Sequence, residues 1–173
     1  MLMKSFLLTL TLSTAVICPA LSQTYGQMTP DIKPFAVDIH TINNKVGDLD
    51  HVPLYETSGY VEIPPTYYQH DGTSLGIILV HSDYDVYVAF EKRCPHCYYD
   101  NGEIGELYIW TLLDAICNNC QCRIEGMVAN ATGQMTGYNT GKCGPRHADK
   151  YMTEKVTRYG NDYIVLFPRN DGY

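Results

Sequence analysis

The sequence predicts an all-β domain, and three observations carry the prediction. Apolar runs are short and are set apart by turn signals, among them His70-Asp71-Gly72-Thr73, Ser82-Asp83-Tyr84-Asp85 and Gly160-Asn161-Asp162. Tyrosine is abundant, 15 in 173 residues, and aromatic side chains suit a pleated, half-buried surface with their hydroxyls in water. The closing stretch alternates around a turn and ends in the run Tyr163–Phe167, the pattern of a hairpin. At 45% hydrophobic and 18% charged, the chain has the length and composition of one domain with a real core.

Residues 1–22 read as a secretory signal outside the fold. Lys4 is the only charge, an apolar stretch runs from Phe6 to Ala20, and Ala20-Leu21-Ser22 is a small-residue cleavage pattern before Gln23. The apolar run is too short to span a bilayer comfortably. Bulky Ile17 precedes Cys18 where lipid attachment would require a small residue, which argues against a lipoprotein. The expected location is therefore outside the cytoplasm, in the periplasm or cell envelope. The mature chain has 151 residues, six cysteines and a net charge of −8, one more negative than the full chain's −7 because Lys4 leaves. No basic stripe is available to neutralise phosphates, so nucleic acid is excluded as a partner. Nothing in the mature chain indicates membrane association.

In chain order, residues 23–51 read as an exposed leading segment, interrupted at Pro30 and Pro34, with one short strand near Phe35–Ile39. Residues 52–170 are the predicted domain. Leu54–Ile63 is a strand broken by Gly59 and ended by Pro64-Pro65. Leu75–Val80 is strongly apolar, and the turn at Ser82–Asp85 leads into Val86–Phe90, which together predict a hairpin. Asp100-Asn101-Gly102 is a turn. Gly105–Leu113 is too short for its period to separate strand from helix, but its aromatics tilt it toward strand, with Trp110 as a packing residue. Arg123–Val128 is a further strand, the stretches at Ala131–Gln134 and Gly137–Gly141 are turns, and Lys155–Thr157 pairs with Tyr163–Phe167.

The predicted hairpin delivers the chain's most specific motif. Cys94-Pro95-His96-Cys97 and Cys117-Asn118-Asn119-Cys120 are two knuckles with 19 residues between them, and Cys122 follows two residues later. Thiols at i and i+3 on a tight turn present both sulfurs to one point, so two such turns can close a four-ligand metal site. An exported chain with six cysteines would by default be a disulfide framework. A domain of this size does not need stapling, however, and the short spacings suit knuckles better. The metal-binding part is expected over about residues 92–147.

Asp85-Val86-Tyr87-Val88-Ala89-Phe90-Glu91-Lys92-Arg93-Cys94-Pro95-His96 resembles the first half of a Rieske domain, where a strand ending in an alanine-aromatic pair leads into a Cys-x-His box. Cys117–Cys120 stands where that family has Cys-x-x-His, Gly144-Pro145-Arg146 resembles its cluster-covering loop, and the closing hairpin resembles its terminal strands. The resemblance implies a Rieske-like antiparallel β-sandwich carrying a small two-knuckle metal subdomain of the rubredoxin or zinc-ribbon kind. It also implies a [2Fe–2S] cluster, one-electron transfer and a redox partner protein. Cys120 departs from the pattern by replacing the second histidine, and Cys97 adds a thiol. The donors are then Cys94, Cys117 and Cys120 with either His96 or Cys97, and zinc is the alternative to the cluster. Cys122 and Cys143 are disulfide candidates, as Rieske domains of respiratory complexes also lock their two cluster loops with a disulfide, although its cysteines lie elsewhere in the boxes.

Three functions follow from this reading: electron transfer through a [2Fe–2S] cluster, a zinc-stabilised structural or binding module, and a metal-free fold with paired cysteines. No nucleophile motif, phosphate loop or carboxylate pair points to an enzyme acting alone, which leaves the electron-transfer component of a larger oxidoreductase as the catalytic role.

Overall fold

The strand expected near Phe35–Ile39 forms, but the described residues around it are not the exposed segment expected. In the computed structural model, which describes residues 29–42, 53–57, 59–82, 85–111, 114–125, 134–136 and 147–168, strand β1 (Phe35–Asp38) lies against β10 (Asn161–Phe167), and Ile32, Val37, Ile39 and Ile42 are buried. This stretch is therefore the edge of the main sheet rather than an exposed leader. The prolines that suggested a loop precede the strand and leave its ladder intact.

All described pairings are antiparallel. Strands β2 (Tyr60–Ile63), β3 (Ile77–Ser82), β4 (Val86–Glu91) and β9 (Lys150–Arg158) complete a six-stranded sheet in the order β1-β10-β9-β4-β3-β2. Its end strands β1 and β2 contribute Val37, Val61 and Ile63 to one core shared with Ile77, Leu79, Ala89, Ile164 and Leu166. The segments flanking those edges also meet. Ile32 pairs with His70, Lys33 N–H donates to the Gln69 carbonyl (2.9 Å) and Asp71 N–H to that of Asp31 (3.0 Å). The sheet therefore curls around its core.

A second sheet is inserted between β4 and β9. It holds β5 (Leu107–Ile109), β6 (Ala115–Cys117), β7 (Arg123–Glu125) and β8 (Gln134–Thr136) in that order. Its core contains the knuckle cysteines with Leu107, Ala115 and Ile124, and it packs on the outer face of the main sheet through Ile78, Val80 and Phe90. This explains why β3 reads as a continuous apolar run. Ile77 and Leu79 face one core, Ile78 and Val80 face the other, and all four are fully buried. Complete burial of a side chain such as Phe90 contributes about 1.5–3 kcal/mol, so the interface between the two sheets is a substantial part of the fold.

The closing hairpin forms, with β9 beginning earlier than the pattern suggested because Lys150 and Tyr151 pair with Phe90 and Ala89. Trp110 differs from expectation. It follows the edge strand β5, is 65% exposed, and meets Tyr108 edge-on at 6.5 Å rather than filling a core. Among the described residues no helix is long and apolar enough to cross a membrane. The signal segment lies outside the described residues.

Candidate metal centre

Local backbone geometry builds each knuckle before any metal is considered. Leaving β4, Arg93 pairs with Glu106, and Cys94 N–H donates to the Gly105 carbonyl at 2.7 Å. A π-helical turn over His96–Asn101 follows, in which Tyr98 N–H reaches the Cys94 carbonyl (3.1 Å). Gly102 closes the turn at φ 65°, donating to the Cys97 carbonyl, and glycine adopts that left-handed conformation without a Cβ penalty. In the second knuckle Gln121 N–H donates to the Cys117 carbonyl (3.1 Å) and Cys117 N–H to that of Cys122 (2.9 Å), with Gln121 itself left-handed at φ 61°. Asn118 then straps the knuckles together. Its side-chain oxygen accepts from Glu106 N–H, and its own N–H donates to the Glu106 carbonyl, both at 2.9 Å.

These turns bring Cys94, Cys97, Cys117 and Cys120 together, with every sulfur within 4.8 Å of the others. The Cys94–Cys120 and Cys97–Cys117 separations are both 3.6 Å. Four thiolates at about 2.3 Å from a tetrahedral ion stand about 3.8 Å apart, so the described spacing is close to that of one coordination sphere. The backbone makes room for it at Gly105. A Cβ there would lie 2.6 Å from the Cys97 sulfur and 2.7 Å from that of Cys117. Asn119 N–H also approaches the Cys117 sulfur at 3.4 Å, which favours a thiolate there.

Cys94, Cys97 and Cys117 are fully buried, while Cys120 is partly exposed. Without a cation the four thiols cannot all ionise. The interaction with the Cys117 sulfur, together with burial, pushes the Cys94 thiol far up. Burial, then the sulfurs of Cys120 and Cys117, push Cys97 up to about 12. The same contact with Cys94 brings Cys117 down to about 5, so a negative charge on Cys117 lies beside the Cys94 and Cys97 thiols, which keep their protons. A divalent ion removes that restriction by supplying the missing positive charge.

The remaining expected site residues fall elsewhere. His96 is not among these four donors. It is buried, its Nδ1 has no hydrogen-bond partner among the described residues, and one of its ring nitrogens groups instead with the sulfurs of Cys120 and Cys122. Cys122 is disulfide-bonded to a partner outside the described residues. The expected pairing with Cys143, and the covering loop at Gly144 and Pro145, fall on residues outside the described set.

Sequence reasoning missed two features. Gly105 carries no motif signal, because a glycine opposite a thiol pair is visible only once the strands are placed. The other is the charged stretch Glu91-Lys92-Arg93, which anchors the knuckles to the main sheet. Fully buried Glu91 accepts from Ser74 Oγ (2.7 Å), Tyr151 Oη (2.6 Å) and the Leu75 N–H (2.9 Å). Lys92 Nζ bridges Glu62 of β2 and Glu106 beside β5, each at 2.7 Å. The Arg93 guanidinium lies 3.8 Å over the Tyr98 ring and 3.7 Å from the Asp149 carboxylate, which Tyr99 Oη also reaches at 3.1 Å. Burial raises the Asp149 pKa against the opposing pull of Tyr99 and Arg93.

No protein-family model, curated protein or solved structure matches the chain.

Proposed function

We propose that this chain is a zinc-stabilised β-domain in which Cys94, Cys97, Cys117 and Cys120 hold one ion in a closed structural site, and that it serves as a binding or structural module. The observation that carries this reading is the mutual 4.8 Å limit on the four sulfurs. In a two-iron cluster, pairs of thiolates sit on different irons, so sulfurs on opposite irons stand farther apart than those of one tetrahedron. Four protein donors also leave no open position for a substrate or water, as a structural rather than a catalytic zinc site requires. Because the cysteines are themselves core residues of the inserted sheet, the ion would contribute folding energy directly.

A Rieske-like ancestry remains a proposal that two features support: a two-knuckle sheet inserted after the Ala89-Phe90 strand, and the closing β9–β10 hairpin. In that setting Cys97 takes the place of His96, turning a cluster fold into a single-ion one. The partly exposed Cys120 favours a second reading, in which the same four thiolates hold one iron and pass single electrons to a partner. Elemental analysis with an absorption spectrum separates the readings. One zinc and a colourless protein supports the structural site, one iron without sulfide supports the mononuclear carrier, and two irons with two sulfides would restore the cluster.

A further inference from the structure

Beside the four-thiol site lies a second donor group that this site does not use. One ring nitrogen of His96 and the sulfurs of Cys120 and Cys122 all lie within 4.8 Å of one another. His96 is only 8% exposed and Cys122 only 1%. A buried imidazole nitrogen without a partner is costly to keep, and the His96 Nδ1 is in that position among the described residues. The Cys122 sulfur is held in a disulfide.

We propose that His96, Cys120 and Cys122 form a second metal-binding position, shut while Cys122 is in its disulfide and opened when that bond is reduced. The inference rests on the single-ion reading of the four thiols, because Cys120 belongs to both groups and its thiolate would bridge two ions. With a phosphine as reductant the step balances. The S–S bond breaks, both sulfurs become thiols with the two hydrogens of a water, and the phosphine takes the water's oxygen. Cys122 then releases its proton to solvent as it binds a divalent ion. Two sulfurs and one imidazole nitrogen suit zinc or cobalt, and three protein donors leave a fourth position for water, so the new site would be open where the first is closed.

The test uses the full chain, stripped of its resident ion with a chelator, equilibrated with excess Co²⁺ with and without phosphine, freed of unbound metal and counted by elemental analysis. Alkylation with mass spectrometry establishes the state of Cys122. The oxidised chain is expected to carry one cobalt and the reduced chain two. His96→Ala and Cys122→Ser are expected to stay at one in both states while keeping the absorption bands of the first ion, which shows that they still fold. A reduced wild-type chain with Cys122 free that still holds one cobalt would overturn the proposal, as would two ions on reduced His96→Ala. An oxidised chain that binds no cobalt would instead remove the four-thiol reading, and this one with it.

Discussion

Adding one methyl group at Gly105 tests the metal site more sharply than removing a ligand, because it leaves every donor in place. The Cβ of Gly105→Ala would lie 2.6 Å from the Cys97 sulfur, 2.7 Å from the Cys117 sulfur and 3.0 Å from the Cys97 Cβ. Relaxed carbon contacts begin near 3.5 Å, so the sulfurs or the backbone must move by about 1 Å. Metal–thiolate bonds tolerate only about 0.2 Å, so a shift of that size cannot be absorbed within the coordination sphere. Overpacking typically costs about 1–3 kcal/mol, which at 1.4 kcal/mol per decade predicts zinc affinity weakened roughly 5- to 150-fold. Competition with a chromophoric chelator measures it. Gly102→Ala is the control. Nothing lies within 4 Å of its added Cβ, but φ is +65°, so it should cost about 1 kcal/mol of stability and leave metal affinity unchanged. Equal zinc affinity for Gly105→Ala and wild type would refute the reasoning.

Other outcomes follow from the same geometry. Zinc affinity should fall as pH falls, because Cys94 and Cys97 keep their protons in the metal-free chain and must lose them to bind. Near neutrality those two thiols alone should give a loss of at least about 100-fold per pH unit, and it should steepen below about 5, where Cys117 also protonates; an affinity independent of pH would contradict this. Tyr151→Phe removes the hydroxyl that donates to buried Glu91 and should cost about 1–3 kcal/mol in urea unfolding, whereas no measurable loss would mean the network is not stabilising. Chelation should expose the amides of β5–β7 to hydrogen exchange while β3, β4 and β10 stay protected, since the main sheet has a core of its own. Simultaneous loss of protection in both sheets would show that the two cores are not separable.

The parts of the fold legible in the sequence are those where local pattern and burial coincide. The run Leu75–Val80 and the turn after it announce β3 and β4, and the alternation around Gly160 announces the last hairpin. The two knuckles were legible because i, i+3 thiol spacing is itself a geometric statement. What escaped was set by tertiary placement. Ala115–Cys117 and Gln134–Thr136 are three-residue strands, too short to show a period, and they exist because β5 and β7 pair beside them. Whether His96 or Cys97 joins the donors turns on the π-helical turn at His96–Asn101, which directs the Cys97 sulfur to the other three and the imidazole toward Cys122. Trp110 looked like a core residue by type, yet it follows an edge strand and is left in solvent. Val37 and Ile39 looked peripheral, yet they become core when the sheet curls back onto β1.

The central claim is that four thiolates hold one ion, and metal content measured together with thiol accessibility tests it most directly. On the purified native chain we expect one zinc, no acid-labile sulfide, no visible absorption, and four thiols that alkylate only after chelation. Two irons with two sulfides per chain, or four thiols open to alkylation with no metal present, would contradict the account.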